Sequence, residues 1–372
     1  MKKIQFNNND GLAIELNKKI NAYFEFYQIS KKGDWSLYIK AIIMLALWLV
    51  PFSVPFFVPC TFIQIIGLAI ISGIGMAGVG MNVMHDAHHG VFSDIPWLNT
   101  LAMWTMPLLS GNSFNWIHQH NKIHHFTTNI NGHDDDVDTT KGIFRFIKEQ
   151  PWKSHHKWQW LYAWPLYGLM TLMWSTKKDF RQMKDYFVRF NISKSRQEIL
   201  WKNLIISKII YFSIWVVAPT FLWSTTLDFG VGGTMAIIIS FLSVCTFWVL
   251  MHYVGGMILT IIFQLAHVVP LAQTFPSGNR NVSWVRHQIE TSVDFAKKNK
   301  LISWYIGGLN FQTEHHLFTN ISHIHYPKIS VIVEKFCKKH KIPFYKYKNF
   351  FAALYGHMSM LYSLGRKPAL EN

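Results

Sequence analysis

Three histidine clusters, far apart along the chain, are the residues best equipped for chemistry: His85-Asp86-Ala87-His88-His89, His120-Asn121-Lys122-Ile123-His124-His125 and Gln312-Thr313-Glu314-His315-His316. On a helix, residues four apart share a face, so His85 and His89 can reach one ion. His120 and His124 repeat that spacing, and His125 adds an adjacent ligand for a neighbouring ion. Eight such side chains exceed what one ion can use, which points to a two-metal site assembled from separated segments. A lone His-x-x-x-His pair arises easily by chance; three clusters gathered on one side of a membrane do not. Structural zinc favours thiolates, yet Cys60, Cys245 and Cys337 are isolated and absent from every cluster. Copper sites use fewer imidazoles, often with sulfur, and zinc has no redox chemistry. An all-nitrogen set of this size suits two irons that activate dioxygen.

The elements that must hold these clusters are membrane helices. Of 372 residues 50% are hydrophobic and 16% aromatic, too apolar for an ordinary soluble enzyme and too charged for a bare membrane bundle. The formal net charge of +16 accompanies abundant apolar spans. Lipid headgroups and anionic substrates are therefore the expected partners, and nucleic acid is not. Four apolar stretches, near 36–58, 62–84, 207–223 and 234–255, approach the ~20 residues a bilayer requires. They divide the chain into a segment 1–35, a membrane domain 36–275 that includes a loop 111–206 carrying the second cluster, and a C-terminal region 276–372 carrying the third. The first ~35 residues have no apolar core, so no cleavable signal is expected. Lys and Arg crowd the N-terminus, the 111–206 loop and the C-terminal region but are missing from the turns after spans one and three. The positive-inside rule then puts both termini and all three clusters in the cytosol. Two shorter, proline-interrupted runs, 95–109 and 158–174, are interfacial or re-entrant, because crossing the bilayer would separate the clusters. From Phe62 to His89 a helix extends ~42 Å against a core of ~30 Å, so span two lifts its histidines out of the lipid. The fourth run likewise continues to His267.

Several motifs make the chain similar to the membrane fatty acid desaturases, and within them to the bacterial acyl-CoA, linoleoyl-CoA-type "front-end" group. These are His85-Asp86-x-x-His89, Trp116-x-x-x-His120-Asn121-x-x-His124-His125, Asn131-Gly132-His133-Asp134 and Gly307-Gly308-Leu309-Asn310-Phe311-Gln312-x-x-His315-His316. Tyr162-Ala163-Trp164 and His323-Ile324-His325-Tyr326-Pro327 reinforce them, and the likeness runs from about Gly78 to Gly365. The resemblance implies an all-α membrane enzyme of four spans under a cytosolic helical cap, sited in the inner membrane of a bacterium. It implies two irons held by His85, His89, His120, His124, His125, His267, His315 and His316, with Gln312 in the remaining position. The implied reaction uses dioxygen and two electrons to desaturate a long-chain acyl-CoA or acyl lipid. Many front-end relatives carry a fused haem domain. The 35 residues before Ser36 contain no histidine and are too few for one. Electrons are expected from a separate ferredoxin or cytochrome b5-type donor with its reductase.

Two departures from the family pattern stand out. His88 adds an imidazole to the first box and is read as a neighbour of the site, and Phe263 stands where some relatives have an asparagine one turn before His267. Gln264 is at best its substitute. Asp86, inside the box, is expected to orient a ligating imidazole through its free ring nitrogen. For Asn121, Asp134, Asp135, Asp136 and Asp138 that role stands beside a solvated loop or helix cap. His118, His133, His323 and His325 are not expected to be ligands, and His155, His156, His252, His287, His340 and His357 are surface or packing residues. The aromatic run 158–174 marks the headgroup level or lines an acyl tunnel, and Lys177, Lys178 and Arg181 mark the interface or meet phosphates. Two other functions share these features: a lipid hydroxylase or ketolase on the same scaffold, and a histidine-rich metal transporter. The near absence of ionisable residues within the spans weighs against transport.

Overall fold

The computed structural model describes residues 4–138, 142–227 and 230–367. The Asp138 side chain and the outermost parts of the expected terminal segments, 1–3 and 368–372, lie outside the described residues. Helix α1 (Leu12–Tyr27) precedes α2 (Trp35–Ser53), and α3 runs unbroken over Phe62–His88. Box two lies on α4 (113–127). Then come α5 (Gln159–Tyr167), α6 (170–189), α7 (Lys194–Thr226) and the 35-residue α8 (Gly233–His267). The C-terminal part contains α9 (Trp284–Thr291), α10 (Gln312–Leu317), α11 (Tyr326–Lys339) and α12 (Phe350–Leu364). A two-residue parallel pair, β1 (Asp294–Phe295) with β2 (Lys346–Tyr347), is the only sheet among the described residues.

Helices α2, α3, α7 and α8 are long and apolar enough to cross a membrane, and the fold is all-helical as expected. Asp34 caps α2 by accepting from Ser36 N at 2.9 Å, and Thr61 and Gln64 form a capping box at the start of α3. Close approach needs small residues where there is no hydrophobic force between lipid-bathed helices. A Cβ on Gly73 would stand 2.7 Å from Met251 O of α8, and one on Gly75 would strike the backbone of Trp48 on α2. The Trp48 and Trp215 rings stack at 5.3 Å behind this contact.

The helices exceed the apolar runs that announce them. Helix α7 starts at Lys194 and not near 207, and α8 runs to His267, as the continuation of the fourth apolar run implied. Hydropathy ends where polar residues begin, whereas helical hydrogen bonding continues into water. Lys208 and His252 lie well inside these helices, both buried. Lys208 Nζ pairs with Asp179 Oδ2 at 2.7 Å, and His252 Nε2 meets the Tyr211 hydroxyl. The runs 95–109 and 158–174 break into short helices, none of them among the four that are long and apolar enough to cross a membrane. Segments α9 to α12, with α1 packed on α11 and α9, form a cap at the end of the bundle where α3 and α8 terminate.

Candidate metal centre

Three helical segments and the tip of α8 bring their histidines to one place. Potential ligand atoms of His85, His89, His120 and His315 lie within 4.8 Å of one another, as do those of His124, His267 and His316, and those of His125, His315 and His316. His120 and His124 thus fall in different groups, contrary to the expectation that their spacing gives them one ion. The cause is local. Residues Ile117–His124 form a π-helix, and the His125 N–H donates to His120 O five residues back. The wider turn puts His125 over His120, with their Nε2 atoms 3.1 Å apart, and swings His124 aside. A second π-turn, Gly80–Met84, precedes box one, where the His85 N–H donates to Gly80 O.

In four of the eight rings the second nitrogen is held from outside, while the buried Nδ1 atoms of His85 and His125 have no hydrogen-bond partner among the described residues. His316 Nδ1 faces Gln288 Oε1 at 2.9 Å, His267 Nδ1 faces Thr291 O at 3.1 Å, and His315 Nδ1 lies 3.3 Å from the Tyr326 hydroxyl. His124 Nδ1 lies 3.1 Å from Asp134 Oδ2 and 3.3 Å from Asp136 Oδ2. The Nε2 atoms turn inward: His85 meets His120 at 3.2 Å and His316 meets His267 at 3.1 Å. Buried Nε2 atoms of His89, His124 and His315 have no protein partner. Neutral imidazoles whose nitrogens face a shared space could hold metal, and the donor set fits a pair of nitrogen-preferring ions.

Electrostatics agree with that reading. Burial, reinforced by neighbouring imidazoles, drives His89, His120, His125, His315 and His316 far below the usual histidine range, leaving neutral rings with free lone pairs. His124 moves the other way: burial opposes its charge, but the carboxylates of Asp134 and Asp136 outweigh it.

Around this shell the remaining candidates separate. His88 uses both ring nitrogens elsewhere, on Met84 O at 2.8 Å and Ser113 Oγ at 2.9 Å, so it is a neighbour. Asp86 Oδ1 stands 3.6 Å from His85 Nδ1. Its Oδ2 accepts from Ser322 Oγ at 2.8 Å and faces His323 Nδ1 at 2.9 Å. Asn121 orients no ring; its Nδ2 donates to His88 O at 3.0 Å and ties box two to box one. Asp135 bonds Arg189 and Tyr186. Gln312 is buried, donates to Leu309 O at 2.7 Å and hydrogen-bonds His267. Phe263 packs its ring on His124 and His267 at 5.0 and 5.4 Å, while the buried Gln264 Oε1 beside it has no partner. His118, His133 and His325 bond Phe114 O, Ser277 Oγ and Lys32 O, away from the centre.

Sequence reasoning missed three supports. Gln288 and Thr291 on α9 carry no motif, and only their spacing on one short helix could have flagged them. Lys40 reaches from α2 to place Nζ 2.8 Å from His323 Nε2, completing a chain from Lys40 through His323 and Asp86 to His85. An isolated lysine in an apolar run was the available signal.

A cavity of about 840 Å³ opens onto the histidines. Its inner wall includes His85, His120, Gln312 and His315, its middle is apolar with Met81, Leu109, Phe146, Leu166 and Met170, and its outer part is charged. The run 158–174 therefore contributes tunnel wall as well as exposed rings such as Trp158.

The sequence profile of the fatty acid desaturase family matches residues 61–348. Among similar proteins, the sn-1 linoleoyl-lipid 6-desaturase of Arthrospira platensis is 29% identical over 98% of this chain and 96% of its own length. The protein of the same name from Synechocystis sp. is also 29% identical, over 98% of both chains. The acyl-lipid (8-3)-desaturase of Physcomitrium patens is 28% identical over 96% of this chain and 72% of its own.

Proposed function

This chain belongs to the fatty acid desaturase family and is an oxidoreductase of fatty acyl chains; from that premise we propose a front-end acyl-lipid desaturase that places a cis double bond at the sixth carbon or nearby. The single observation that carries this reading is the convergence of eight histidines at one place, with His85, His120 and His315 among them lining a largely apolar cavity. The names of the cyanobacterial relatives favour a lipid-bound acyl chain over a CoA thioester. The ligands are His85, His89, His120, His124, His125, His267, His315 and His316, with Gln312 beside His267.

Bound there, two irons supply the redox chemistry that removing hydrogen from unactivated methylenes requires. Overall, –CH2–CH2– + O2 + 2 e⁻ + 2 H⁺ gives –CH=CH– + 2 H2O. The protein's own part is positional. Met81, Leu109, Phe146 and Met170 hold the chain dry, and the inner histidines fix which carbon pair stands before the metals. Asp134, Gln288, Thr291 and Asp86 hold the imidazoles in one orientation. Basic residues on the cluster side support a cytosolic centre. A separate ferredoxin or cytochrome b5-type protein supplies the electrons.

Expression in a host of defined fatty acid profile tests the reading. Gas chromatography with mass spectrometry should show a new acid two mass units lighter than its precursor. A product heavier by one oxygen would instead identify a hydroxylase. Unchanged acids from a folded, iron-loaded protein given substrate and donor would refute both.

A further inference from the structure

The outer end of the cavity is chemically unlike the rest. Helix α6 opens with a π-turn, Trp174–Lys178, and carries Lys178, Arg181, Asp185 and Arg189 at spacings of three, four and four, which puts them on one face. All four line the cavity, together with Lys177 and Asp135. Arg189 is already engaged, by Asp135 Oδ1 at 2.8 Å and His133 O at 3.1 Å. Lys177, Lys178 and Arg181 make no hydrogen bond or ion pair among the described residues, and Asp185 is the one unpaired carboxylate beside them. Lys178 is half-buried and Arg181 exposed; Lys178 Nζ stands 5.4 Å from the Trp174 ring centroid, and burial pulls its ammonium below the usual lysine range against the opposing charges of Asp136, Asp179 and Asp135. Asp179 is itself paired with Lys208.

We propose that Lys178 and Arg181 form an anion subsite that takes the phosphate of the acyl donor's polar head. This rests on reading the cavity as the acyl site. Lys178 and Arg181 make no direct hydrogen bond or ion pair among the described residues, so an entering anion can supply the charge-assisted contacts that the nearby carboxylates do not. An ammonium beside a forked guanidinium matches the oxygens of a phosphate, whereas an uncharged sugar needs neither. Trp174 marks the depth at which headgroups lie. Clamping the head at one end of a cavity whose other end is the metal shell fixes how many carbons separate the two. That is a ruler counted from the carboxyl side.

The test compares linoleoyl phosphatidylglycerol, a monogalactosyl diacylglycerol with the same acyl chains, and linoleoyl-CoA, in neutral detergent. Wild type should favour a phosphate-bearing donor over the galactolipid by about tenfold in kcat/KM, the scale of one charge-assisted contact. Lys178→Met with Arg181→Met should bring that ratio close to one, and Lys178→Arg with Arg181→Lys should restore most of it. Lys184→Met, which removes a cation of α6 that does not line the cavity, should leave it alone. Whichever of phosphatidylglycerol and linoleoyl-CoA depends on these residues is the phosphate's source. Equal use of all donors by wild type, or a double variant that loses every donor in proportion, overturns the subsite. Thermal stabilisation by phosphatidylglycerol, read without turnover, should vanish in the double methionine variant. If wild type desaturates nothing, the functional reading has failed, and this shift alone decides the subsite: its persistence in the double variant refutes it.

Discussion

His124 owes its orientation to a residue that the sequence could not single out. Asp134, Asp135 and Asp136 stand side by side, yet Asp134 is buried against His124 Nδ1 and accepts from Asn129 N at 2.8 Å, while Asp135 faces Arg189. Which carboxylate turns inward is decided by tertiary contacts, so the sequence showed an acidic run and no more. Asp134→Asn should lower iron affinity or activity by roughly 10- to 100-fold; metal content after dialysis against a graded chelator checks it. Lys40 tells the same story at longer range. Lys40→Met leaves His323 Nε2 without its partner and loosens Asp86, so iron retention should fall several-fold while Lys40→Arg retains more. The histidine clusters that meet at this centre, by contrast, were legible, because three boxes with fixed spacing are unlike any packing pattern.

Faces were where the sequence misled. Counting in α-helical turns paired His120 with His124, and a π-helix paired His120 with His125 instead. One extra residue per turn leaves no trace in composition, so its presence follows only from what α4 must reach. Deleting Lys122 should restore an α-helical turn and rotate His124 and His125 by about 100°. The expected outcome is loss of iron with helical circular dichroism retained. Packing of α3 is as demanding: Gly75→Val drives a side chain into the Trp48 backbone and should abolish accumulation of folded protein, read by size exclusion in detergent. The cap is fastened differently. Burial pushes Glu334 of α11 up, but Lys297 and Lys346 outweigh it and hold its carboxyl below the usual range. A depressed carboxylate stabilises the fold above its ordinary pKa, and that contribution is lost as pH falls through the lowered value. Glu334→Gln should flatten the acid limb of a melting-temperature profile below about pH 4.5, while wild type shows a decline there.

Across the whole molecule, hydropathy alone located four spanning helices, because the bilayer imposes a length that few other contexts reproduce. It did not mark where α7 begins: that helix starts at Lys194, well before the apolar run near 207. Sidedness is testable on the chain as it stands. Cys60 lies between α2 and α3, on the side away from the histidines, and burial pushes its thiol up. With Cys245 and Cys337 replaced by serine, a membrane-impermeant maleimide should label Cys60 in intact cells at alkaline pH. A cysteine at Asp10 should react only after lysis. Labelling in the reverse order would invert the topology.

Helix α8 has one more consequence. Its 35 residues extend about 52 Å, against a hydrocarbon core of about 30 Å, and His267 is the last of them. On the proposed reading, the metal centre therefore stands clear of the bilayer interior, where neighbouring acyl chains offer the same reactive methylenes. A chain must be extracted from its leaflet to be altered. Lifting each methylene into water would cost about 0.8 kcal/mol, but an equally oily channel makes the transfer nearly neutral. The cavity's greasiness thus does more than fit the substrate: it lets selectivity rest on admission, with every chain left in the membrane out of the oxidant's reach.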